Sequence, residues 1–435
     1  MKIPEILLVE SVQKPGNLAR ILTVIGEEGV VVEHLASIRR EADRTVWEIT
    51  LELDPGIAPR LEARINELPD AKVLGRSDRV FTRHRGGKIR TASTIEIGSQ
   101  QILRDIYTPG VARVCLAIRD DPARAREFTA ISRTVAIVTN GTAILGLGDI
   151  GPVAGMPVME GKAALMASLA GLSGVPILVE EKDPARLADV VAAIAPSFGA
   201  IQLEDIAAPA CFEVENRLRA RLGIPVLHDD QHGTAVVTLA AVRNAGRRVD
   251  QRLSVSTVGQ VGLGAAGIGI ASLLLSRGTP RILGADLSSE AVERFRALGG
   301  EPADLDRVMA ESDIVIATTG VPGLISPQMV RSGQVILALS NPDPEIEPEA
   351  ALAAGAAFAA DGKTINNVLG FPGLFRGALD AGADRFTDAM LVAAAEAIAD
   401  CAGEGDLVPE PLDVRVHESV AAAVARAAVE SGAAQ

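Results

Sequence analysis

The sequence predicts an α/β protein built from more than one unit, and three observations support this fold class. The chain has 435 residues, enough for two or three domains of ordinary size. From about residue 96 onward, helix and strand candidates alternate, which is the pattern of an α/β fold. Before them, the first 75 residues have a different order of elements, β-α-β-β-α-β, which is typical of a small ferredoxin-like domain.

The composition is that of a globular protein with an acidic surface. Hydrophobic residues make up 48% of the chain and charged residues 23%, unlike the composition of disordered chains. Asp and Glu outnumber Lys and Arg by 56 to 42, and the formal net charge is −14. This balance argues against nonspecific binding of nucleic acids or anionic membranes. An anionic substrate is still compatible with it, because a local site can oppose the net charge.

The sequence predicts neither a targeting segment nor a membrane span. Glu5 and Glu10 interrupt the apolar run near the N-terminus, so a signal peptide is not expected. The uncharged stretches 163–179 and 253–276 contain several glycines and are predicted to be buried elements of an α/β fold. The three cysteines are too widely spaced for a disulfide framework, which indicates a reducing compartment, and we expect a cytoplasmic protein.

The first predicted domain covers residues 1–76. Strands are expected at 6–12, 30–38, 45–53 and 71–75, and helices at 18–25 and 57–68. This order, together with the turn Pro15-Gly16-Asn17-Leu18, resembles an ACT domain, a small regulatory module. The resemblance implies that Gly16 and Asn17 contact a small effector, often an amino acid. A ferredoxin-like dimerisation module without a ligand is the alternative.

The rest of the chain is predicted to contain a linker, two α/β domains and a helical tail. The linker, 77–95, is rich in basic residues. The first α/β domain is predicted at 96–235 and the second at 236–405, because a new apolar strand begins near Leu253. The alanine-rich segment 406–435 has apolar periodicity and is predicted to form terminal helices.

The second α/β domain contains a glycine-rich turn of the kind that binds dinucleotides. Gly262, Gly264 and Gly267 follow an apolar strand and begin an apolar helix. In such a turn the first glycine allows the tight bend, the second lets the pyrophosphate approach, and the third allows close packing of helix and strand. Asp286 ends the next strand and is predicted to bind the adenosine ribose. Its charge would repel a 2′-phosphate, so NAD is favoured over NADP.

Four further residues belong to this predicted Rossmann-type cofactor site. Ala265 and Ala266 lie within the turn, and Thr319 and Gly320 end the strand that is predicted to cross under the cofactor. The alternative is a glycine-rich turn that binds no cofactor.

Four carboxylates follow two apolar strand candidates of the first α/β domain. Glu204 and Asp205 come after one strand, and Asp229 and Asp230 come after the next. Because the carboxyl ends of parallel strands meet at one crevice, these side chains are expected to lie together. Crowded carboxylates favour a cation, and hard oxygen ligands suit Mg²⁺ or Mn²⁺. The residues alone leave helix N-capping by Asp205 and Asp230 equally open.

Two histidines flank the second carboxylate pair. His228 and His232 are four positions apart, a spacing that also occurs in zinc sites. Because the stretch reads as a turn, ordinary hydrogen bonding by both rings is favoured over zinc binding.

A series of short motifs resembles the malic enzyme family in its short bacterial form. They lie between about residues 84 and 405 in the order of that family. The motifs are Tyr107-Thr-Pro-Gly-Val-Ala112, Thr139-Asn-Gly-Thr-Ala-Ile-Leu-Gly-Leu-Gly-Asp149, Pro157-Val-Met-Glu-Gly-Lys162, Leu203-Glu-Asp-Ile206, His228-Asp-Asp-Gln-His-Gly-Thr234, the turn at 262–267, Ser340-Asn-Pro-Asp-Pro344 and Asn366-Asn-Val-Leu-Gly-Phe-Pro-Gly373. The resemblance implies a catalytic α/β domain followed by a Rossmann-type NAD-binding domain.

The resemblance also implies a reaction and two catalytic residues. The family oxidises L-malate to oxaloacetate, decarboxylates it and releases pyruvate and CO₂ as NAD is reduced. Lys162 matches the general base that takes the proton of the C2 hydroxyl. Tyr107, the only tyrosine of the chain, matches the general acid that protonates C3.

The same match assigns the ligands of the metal and the substrate. Glu204, Asp205 and Asp230 match the residues that bind Mg²⁺ or Mn²⁺. Asn341 and Asn367 match amides that contact substrate or nicotinamide, so both belong to the predicted substrate site and Asn341 also to the cofactor site.

The chain departs from the larger members of the family at one position. Where they carry an arginine that binds a carboxylate or the cofactor, this chain has Ala143. Arg104, Arg113 and Lys88 are candidates to replace it. We also expect a homodimer or a larger homo-oligomer, as is usual for such enzymes.

Three other functions remain open at this stage. The same fold could form lactate with tightly held NAD, or act mainly as an oxaloacetate decarboxylase. An ACT-gated sensor with a non-catalytic enzyme domain is an alternative from a different class.

Overall fold

The computed structural model describes residues 3–53, 56–77, 79–144, 146–363 and 365–434. The chain divides into two units, Met1–Lys88 and Ile89–Gln435, and each is described by itself. The division falls within the predicted linker, 77–95, where a short helix also lies.

The first unit is an antiparallel sheet with helices packed on one face. Its elements are β1 (Ile3–Val12), α1 (Asn17–Glu27), β2 (Val31–Arg40), β3 (Arg44–Leu53), α2 (Ile57–Asn66), β4 (Ala71–Arg76) and α3 (Arg79–His84). The strand order is β2-β3-β1-β4, and every neighbouring pair is antiparallel. Leu7, Ile21, Ile49, Leu61 and Ile65 are fully buried in its core. The ferredoxin-like order predicted from the sequence is thus confirmed.

The second unit begins with an all-helical stretch and a parallel sheet. Its first elements are α4 (Gln100–Ile106), α5 (Val111–Asp120), α6 (Ala125–Phe128), β5 (Thr134–Thr139), α7 (Pro152–Ala170), β6 (Ser173–Leu178), α8 (Pro184–Ile194), β7 (Ala200–Leu203), α9 (Ala210–Arg221), β8 (Val226–His228) and α10 (Thr234–Arg248). The strand order is β6-β5-β7-β8, and all its pairs are parallel. β6 contains Pro176, which a sheet tolerates best on an edge strand such as this one.

A six-stranded parallel sheet follows. The remaining elements are β9 (Thr257–Val261), α11 (Ala265–Ser276), β10 (Arg281–Ala285), α12 (Ser289–Ala297), β11 (Glu301–Pro302), α13 (Leu305–Glu311), β12 (Ile314–Ala317), β13 (Val335–Ala338), α14 (Pro348–Ala353), β14 (Phe358–Asp361), α15 (Phe371–Ala381), α16 (Asp388–Cys401) and α17 (Val414–Glu430). The strand order is β11-β10-β9-β12-β13-β14. Together the two sheets confirm the predicted α/β fold with a Rossmann-type sheet.

The helices between the two sheets share one large apolar core. α10 packs against α11 and α16, and the predicted tail forms α17, which packs against α7, α15 and α16. Val420 and Val424 of α17 are fully buried, so this last helix belongs to the core of the unit. The boundary predicted between residues 235 and 236 falls inside the first turn of α10.

One helix differs from its sequence prediction. The sequence suggests a helix from about Lys162, preceded by a loop, but α7 begins ten residues earlier, at Pro152. Gly155 and Pro157 read as helix breakers, yet both lie inside α7. A Cβ atom at Gly155 would lie 2.6 Å from Cδ1 of Ile144. Gly155 therefore allows α7 to pack closely against Ile144 and does not form a turn.

Two other expectations concern cysteines and membranes. All three cysteines are free, as predicted. Among the described residues, no helix combines the length and the apolar character that crossing a membrane requires.

Candidate active site

The predicted metal ligands come together at the carboxyl ends of two neighbouring strands. Glu204 and Asp205 follow β7 and Asp230 follows β8, which pair in parallel. One oxygen from each of the three carboxylates lies within 4.8 Å of the others. The backbone amide of Asp205 donates a hydrogen bond to Oδ2 of Asp230 over 2.9 Å. The arrangement can hold one cation with three oxygen ligands.

The alternative role of these residues as helix caps is wrong. The N-cap residue of α9 is Pro209 and that of α10 is Gly233. Asp205 lies instead in a left-handed backbone conformation with φ 53°, which Asp adopts more readily than most residues. Its carbonyl accepts a hydrogen bond from the amide of Ala143, in the loop after β5. That loop therefore helps to hold the backbone of a predicted metal ligand. Leu145 of the same motif lies outside the described residues.

The electrostatics of this site favour a bound cation. Glu204 is 2% exposed, and burial raises the pKa of its carboxyl well above the ordinary value, although the charge of Lys162 opposes the rise. The charges of Asp230 and Asp229 raise this pKa further. Negative charge is thus in excess, and a divalent cation would relieve it. The hard, closely spaced oxygens fit Mg²⁺ or Mn²⁺ better than soft metals.

Lys162 projects from α7 into the same site. Its ammonium group donates a hydrogen bond to Oδ2 of Asp229 and lies 3.0 Å from Oε1 of Glu204. The nitrogen also lies 4.5 Å from the centre of the Phe371 ring, which shields it from one side. Burial lowers the pKa of Lys162, but the charges of Asp229 and Glu204 outweigh burial and hold the pKa above its ordinary value.

Asp229 links the predicted base to the predicted substrate residue Asn367. Besides Lys162, it accepts a hydrogen bond from Nδ2 of Asn367 over 2.7 Å. Asp229 is fully buried. Sequence reasoning counted it among four crowded carboxylates but assigned it no role of its own. The adjacent pair Asp229-Asp230 could have indicated a separate role for Asp229, since neighbouring residues of a turn can point to different partners.

The turn that carries Asp229 and Asp230 is fixed by a buried glutamate on α9. Residues 229–233 form a single π-helical turn. Glu215 accepts hydrogen bonds from the backbone amide of His228, over 3.1 Å, and from Nε2 of His232, over 3.0 Å. Burial raises the pKa of Glu215, but the charge and the hydrogen bond of His232, together with the charges of His228 and Arg219, outweigh it, so the pKa is lowered. The preference for hydrogen bonding over zinc binding holds for the ring of His232. It is wrong for His228, because neither of its ring nitrogens has a hydrogen-bond partner among the described residues; its Nε2 lies 3.5 Å from Oδ2 of Asp230.

The predicted general acid, Tyr107, forms no hydrogen bond with the described residues of this site. It follows α4, and its side chain is 69% exposed. Among the described residues, none forms a hydrogen bond with its hydroxyl group. The residues around it on α4 and α5, all of which the structure describes, include none that is buried. The structure therefore brings together every predicted metal and base residue, but leaves Tyr107 at the surface.

The glycine-rich turn has the geometry that its sequence predicts. Gly262 has φ 88°, a conformation that glycine adopts without strain. A Cβ atom at Gly267 would lie 1.9 Å from the carbonyl oxygen of Gly262, whereas one at Gly264 would meet nothing within 4 Å. Gly264 thus leaves open space before α11, which begins with Ala265 and Ala266. The positive end of this helix dipole can bind a phosphate group there.

Asp286 lies beside this turn, at the end of β10. Its Oδ2 accepts a hydrogen bond from the backbone amide of Leu263 over 2.7 Å, and its Oδ1 accepts one from Ser288 over 2.8 Å. The carboxylate is therefore held in place next to the glycine turn. This position agrees with the predicted contact to an adenosine ribose.

A buried glutamate that sequence reasoning missed joins the other two cofactor segments. Glu345, which is fully buried, accepts hydrogen bonds from the amide and hydroxyl of Thr319, over 2.6 and 2.8 Å, and from the hydroxyl of Ser340, over 2.5 Å. The amide of Gly320 in turn donates to that hydroxyl over 2.8 Å. Asn341 follows directly and donates to the carbonyl of Gly362. Glu345 lies close in sequence to Asn341, which was the only available signal.

In the first unit, the predicted effector residues lie at the start of α1. Gly16 has φ 85° and is the N-cap residue of the helix. Asn17 is buried, and its amide donates to the carbonyl of Val12 over 2.9 Å and accepts from Arg20 over 3.3 Å. Both ends of the Asn17 side chain thus stabilise the turn itself, and its contact with an effector stays a prediction.

Comparisons with known proteins agree with this site. Residues 86–189 match the family described as malic enzyme, N-terminal domain, and residues 358–429 match malic enzyme, NAD binding domain. NAD-dependent malic enzyme 1 of Bacillus subtilis is 52% identical over 432 residues, which cover 97% of each chain. NAD-dependent malic enzyme of Geobacillus stearothermophilus is 41% identical, covering 96% of this chain and 93% of that protein.

A solved structure of a malic enzyme is also similar to this chain. The crystal structure of malic enzyme from Pyrococcus horikoshii superimposes with a TM-score of 0.76 at 38% sequence identity, and covers 87% of this chain and 92% of that chain. A further relative, the bifunctional malic/malolactic enzyme of Bacillus subtilis, is 40% identical and covers 80% of this chain and 92% of that protein.

Proposed function

This chain belongs to the malic enzyme family, and from that premise we propose that it converts L-malate to pyruvate and CO₂ as it reduces NAD. The observation that carries the proposal is 52% identity, over 97% of the chain, to an NAD-dependent malic enzyme. The buried group formed by Lys162, Asp229, Asn367 and the predicted metal ligands supports it. The non-catalytic sensor has no such support.

NAD and a divalent cation, when bound, would supply the electron acceptor and the Lewis acid. When bound, NAD accepts the hydride from C2 of malate, and a divalent cation polarises the C2 oxygen of the substrate. Glu204, Asp205 and Asp230 would hold the cation, and the turn at 262–267 with Asp286 would hold the dinucleotide. Thr319, Gly320 and Asn341, on segments tied by Glu345, would border the nicotinamide.

Lys162 is the residue that we propose takes the proton of the C2 hydroxyl group at its Nζ atom. A base must be unprotonated, yet Asp229 and Glu204 raise the pKa of Lys162. Glu204 is also a predicted metal ligand, so charge on a bound cation would cancel one of the two effects. Asn367, anchored on Asp229, would orient the substrate beside the lysine.

We propose that Tyr107 donates the proton to C3 after decarboxylation. We also propose that the chain acts as a homo-oligomer. Because Tyr107 lies on an exposed segment, this role needs another surface to enclose its hydroxyl group. Ile95, Ile97, Leu103 and Leu116, in the same part of the second unit, are also exposed. Large apolar side chains left exposed are one sign of a protein interface. The oligomeric state can be measured by light scattering with and without the substitution Leu116→Asp.

The reaction can be tested in one tube. L-malate, Mn²⁺ and NAD are mixed with the protein, NADH is followed by its absorbance, and pyruvate and lactate are assayed at the end. NADH and pyruvate in equal amounts are expected, with a lower rate for NADP. Lactate without net NADH would instead show malolactic activity, for which the bifunctional relative gives the precedent.

We further propose that the first unit is a regulatory domain of the ACT type in a cytoplasmic enzyme. Its sheet order and the turn at Gly16 and Asn17 support this role. The malate saturation curve should shift when the correct amino acid is added. If no common amino acid changes the curve or the melting temperature, the alternative of a ligand-free dimerisation module is favoured.

A further inference from the structure

A cavity lies at the end of α10, away from the predicted metal ligands. Its volume is about 440 Å³, within the range of small-molecule sites. Residues of α10 and α16 form its walls, together with the segments that follow α10 and α11. Four arginines line it, namely Arg243, Arg247, Arg252 and Arg277. In a chain with a net charge of −14, these four arginines outnumber the two carboxylates that also line the cavity, those of Asp250 and Glu396, so the lining is positively charged.

Acidic residues neutralise only part of this charge. Arg277 pairs with Glu396 over 2.9 Å. Arg243 and Arg247 share a single carboxylate, that of Asp400, at 3.0 and 3.5 Å. Each guanidinium group has five N–H donors, so these pairs leave donors for a further anion.

Arg252 is the residue that distinguishes this cavity from an ordinary network of surface ion pairs. No carboxylate among the described residues pairs with it. Asp250 also lines the cavity, is exposed, and forms no ion pair with a described residue. Thr279, another lining residue, is 6% exposed, and its hydroxyl oxygen has no hydrogen-bond partner within the described ranges.

We propose that this cavity binds a small anion with two or more negative charges, carried by phosphate or carboxylate groups. Guanidinium groups bind both kinds of group through paired, charge-assisted hydrogen bonds. The arginines of this site are separate from the catalytic site, because α10 begins at Thr234 next to the turn 229–233 and its Arg243 and Arg247 lie about 14 and 20 Å further along its axis. The inference does not depend on the proposed reaction.

Inorganic phosphate and succinate are the two probes. Each is titrated by calorimetry, at low ionic strength, into metal-free protein saturated with NAD, so that the dinucleotide site is filled. Saturable binding of one of them is expected. Arg252→Ala and Arg247→Ala should each weaken it roughly tenfold. Asp250→Asn should strengthen it several-fold, since it removes a negative charge from the wall.

Arg296→Ala is the matched control, because Arg296 is an exposed, ion-paired arginine elsewhere on the same unit. It should leave the affinity unchanged. Binding of phosphate alone indicates a phosphorylated ligand, and binding of succinate alone indicates a dicarboxylate. The proposal is overturned if neither probe binds, or if the affinity is the same in Arg252→Ala, Asp250→Asn and the wild type.

Discussion

The ammonium group of Lys162 is hydrogen-bonded to the carboxylate of Asp229 inside a site where both side chains are buried. Asp229 is not one of the three carboxylates that cluster as a cation site. Its negative charge therefore stays beside the lysine when a cation neutralises the others. The proton affinity of the proposed base thus depends on a residue outside the predicted metal and cofactor sites.

Asp229→Asn should shift the pH dependence of the reaction toward lower pH. The rate rises with pH as Lys162 loses its proton, and Asp229 raises the pKa of that lysine. Without the charge, burial lowers the pKa, so the rising limb of kcat/KM against pH should move down by about one unit or more. Asp189→Asn, at an exposed ion pair, is the control. An unmoved limb would separate Asp229 from the ionisation of the base.

Lys162→Ala should lower kcat by roughly 10²- to 10⁴-fold, the usual contribution of a general base. The variant also leaves Asp229 and Glu204 without their buried cation, so its melting temperature must be measured alongside. NAD binding, followed by calorimetry, should be retained because the glycine turn lies on other elements. A folded variant with turnover within a few-fold of the wild type would remove Lys162 from the mechanism.

Tyr107→Phe should lower turnover by about 10²-fold without changing stability. Its side chain is 69% exposed, so loss of the hydroxyl group removes no internal hydrogen bond. Thermal unfolding and steady-state kinetics on the same preparation test both halves of this prediction. If turnover is retained, another group must protonate C3, and no second tyrosine is present in the chain.

The gathering of the carboxylates and the geometry of the glycine-rich turn could be predicted because short-range sequence patterns determine them. An apolar strand that ends in Glu204-Asp205 or Asp229-Asp230 places carboxylates at one sheet edge whatever the rest of the chain does. The glycines at 262, 264 and 267 likewise act through local backbone geometry. The early start of α7 was missed because Gly155 packs against Ile144, a tertiary contact that overrides local helix propensity.

Partners that are distant in sequence could not be predicted. Glu215 fixes the metal-site turn from α9, and the pairing of Asp229 with Asn367 spans 138 positions. Nothing in the residue types distinguishes Glu215 from Glu213, the other acidic residue of its helix. Such contacts arise only when the elements pack, so they require the structure.

Asp230→Asn should raise the Mn²⁺ concentration needed for half-maximal activity by at least about tenfold. The substitution removes a charged oxygen ligand but keeps an acceptor for the amide of Asp205, so the fold should persist. Direct binding of Mn²⁺, measured by electron paramagnetic resonance, should weaken in parallel. The exposed Asp306→Asn on α13 serves as the control. Equal Mn²⁺ titrations for variant and wild type would contradict the ligand assignment.

Asp286→Asn should reduce the preference for NAD over NADP. The wild-type carboxylate accepts from Leu263 and Ser288 and, in our proposal, from the ribose, while it repels a 2′-phosphate. The amide can still accept one hydrogen bond from the turn but carries no charge, so the ratio of kcat/KM for the two cofactors should fall by about 10- to 100-fold. Asp304→Asn is the matched control, because Asp304 is an exposed aspartate at the N-cap of α13, in the same Rossmann-type part of the chain. If the ratio stays the same while both kcat/KM values fall together, Asp286 only supports the glycine turn, and discrimination resides elsewhere.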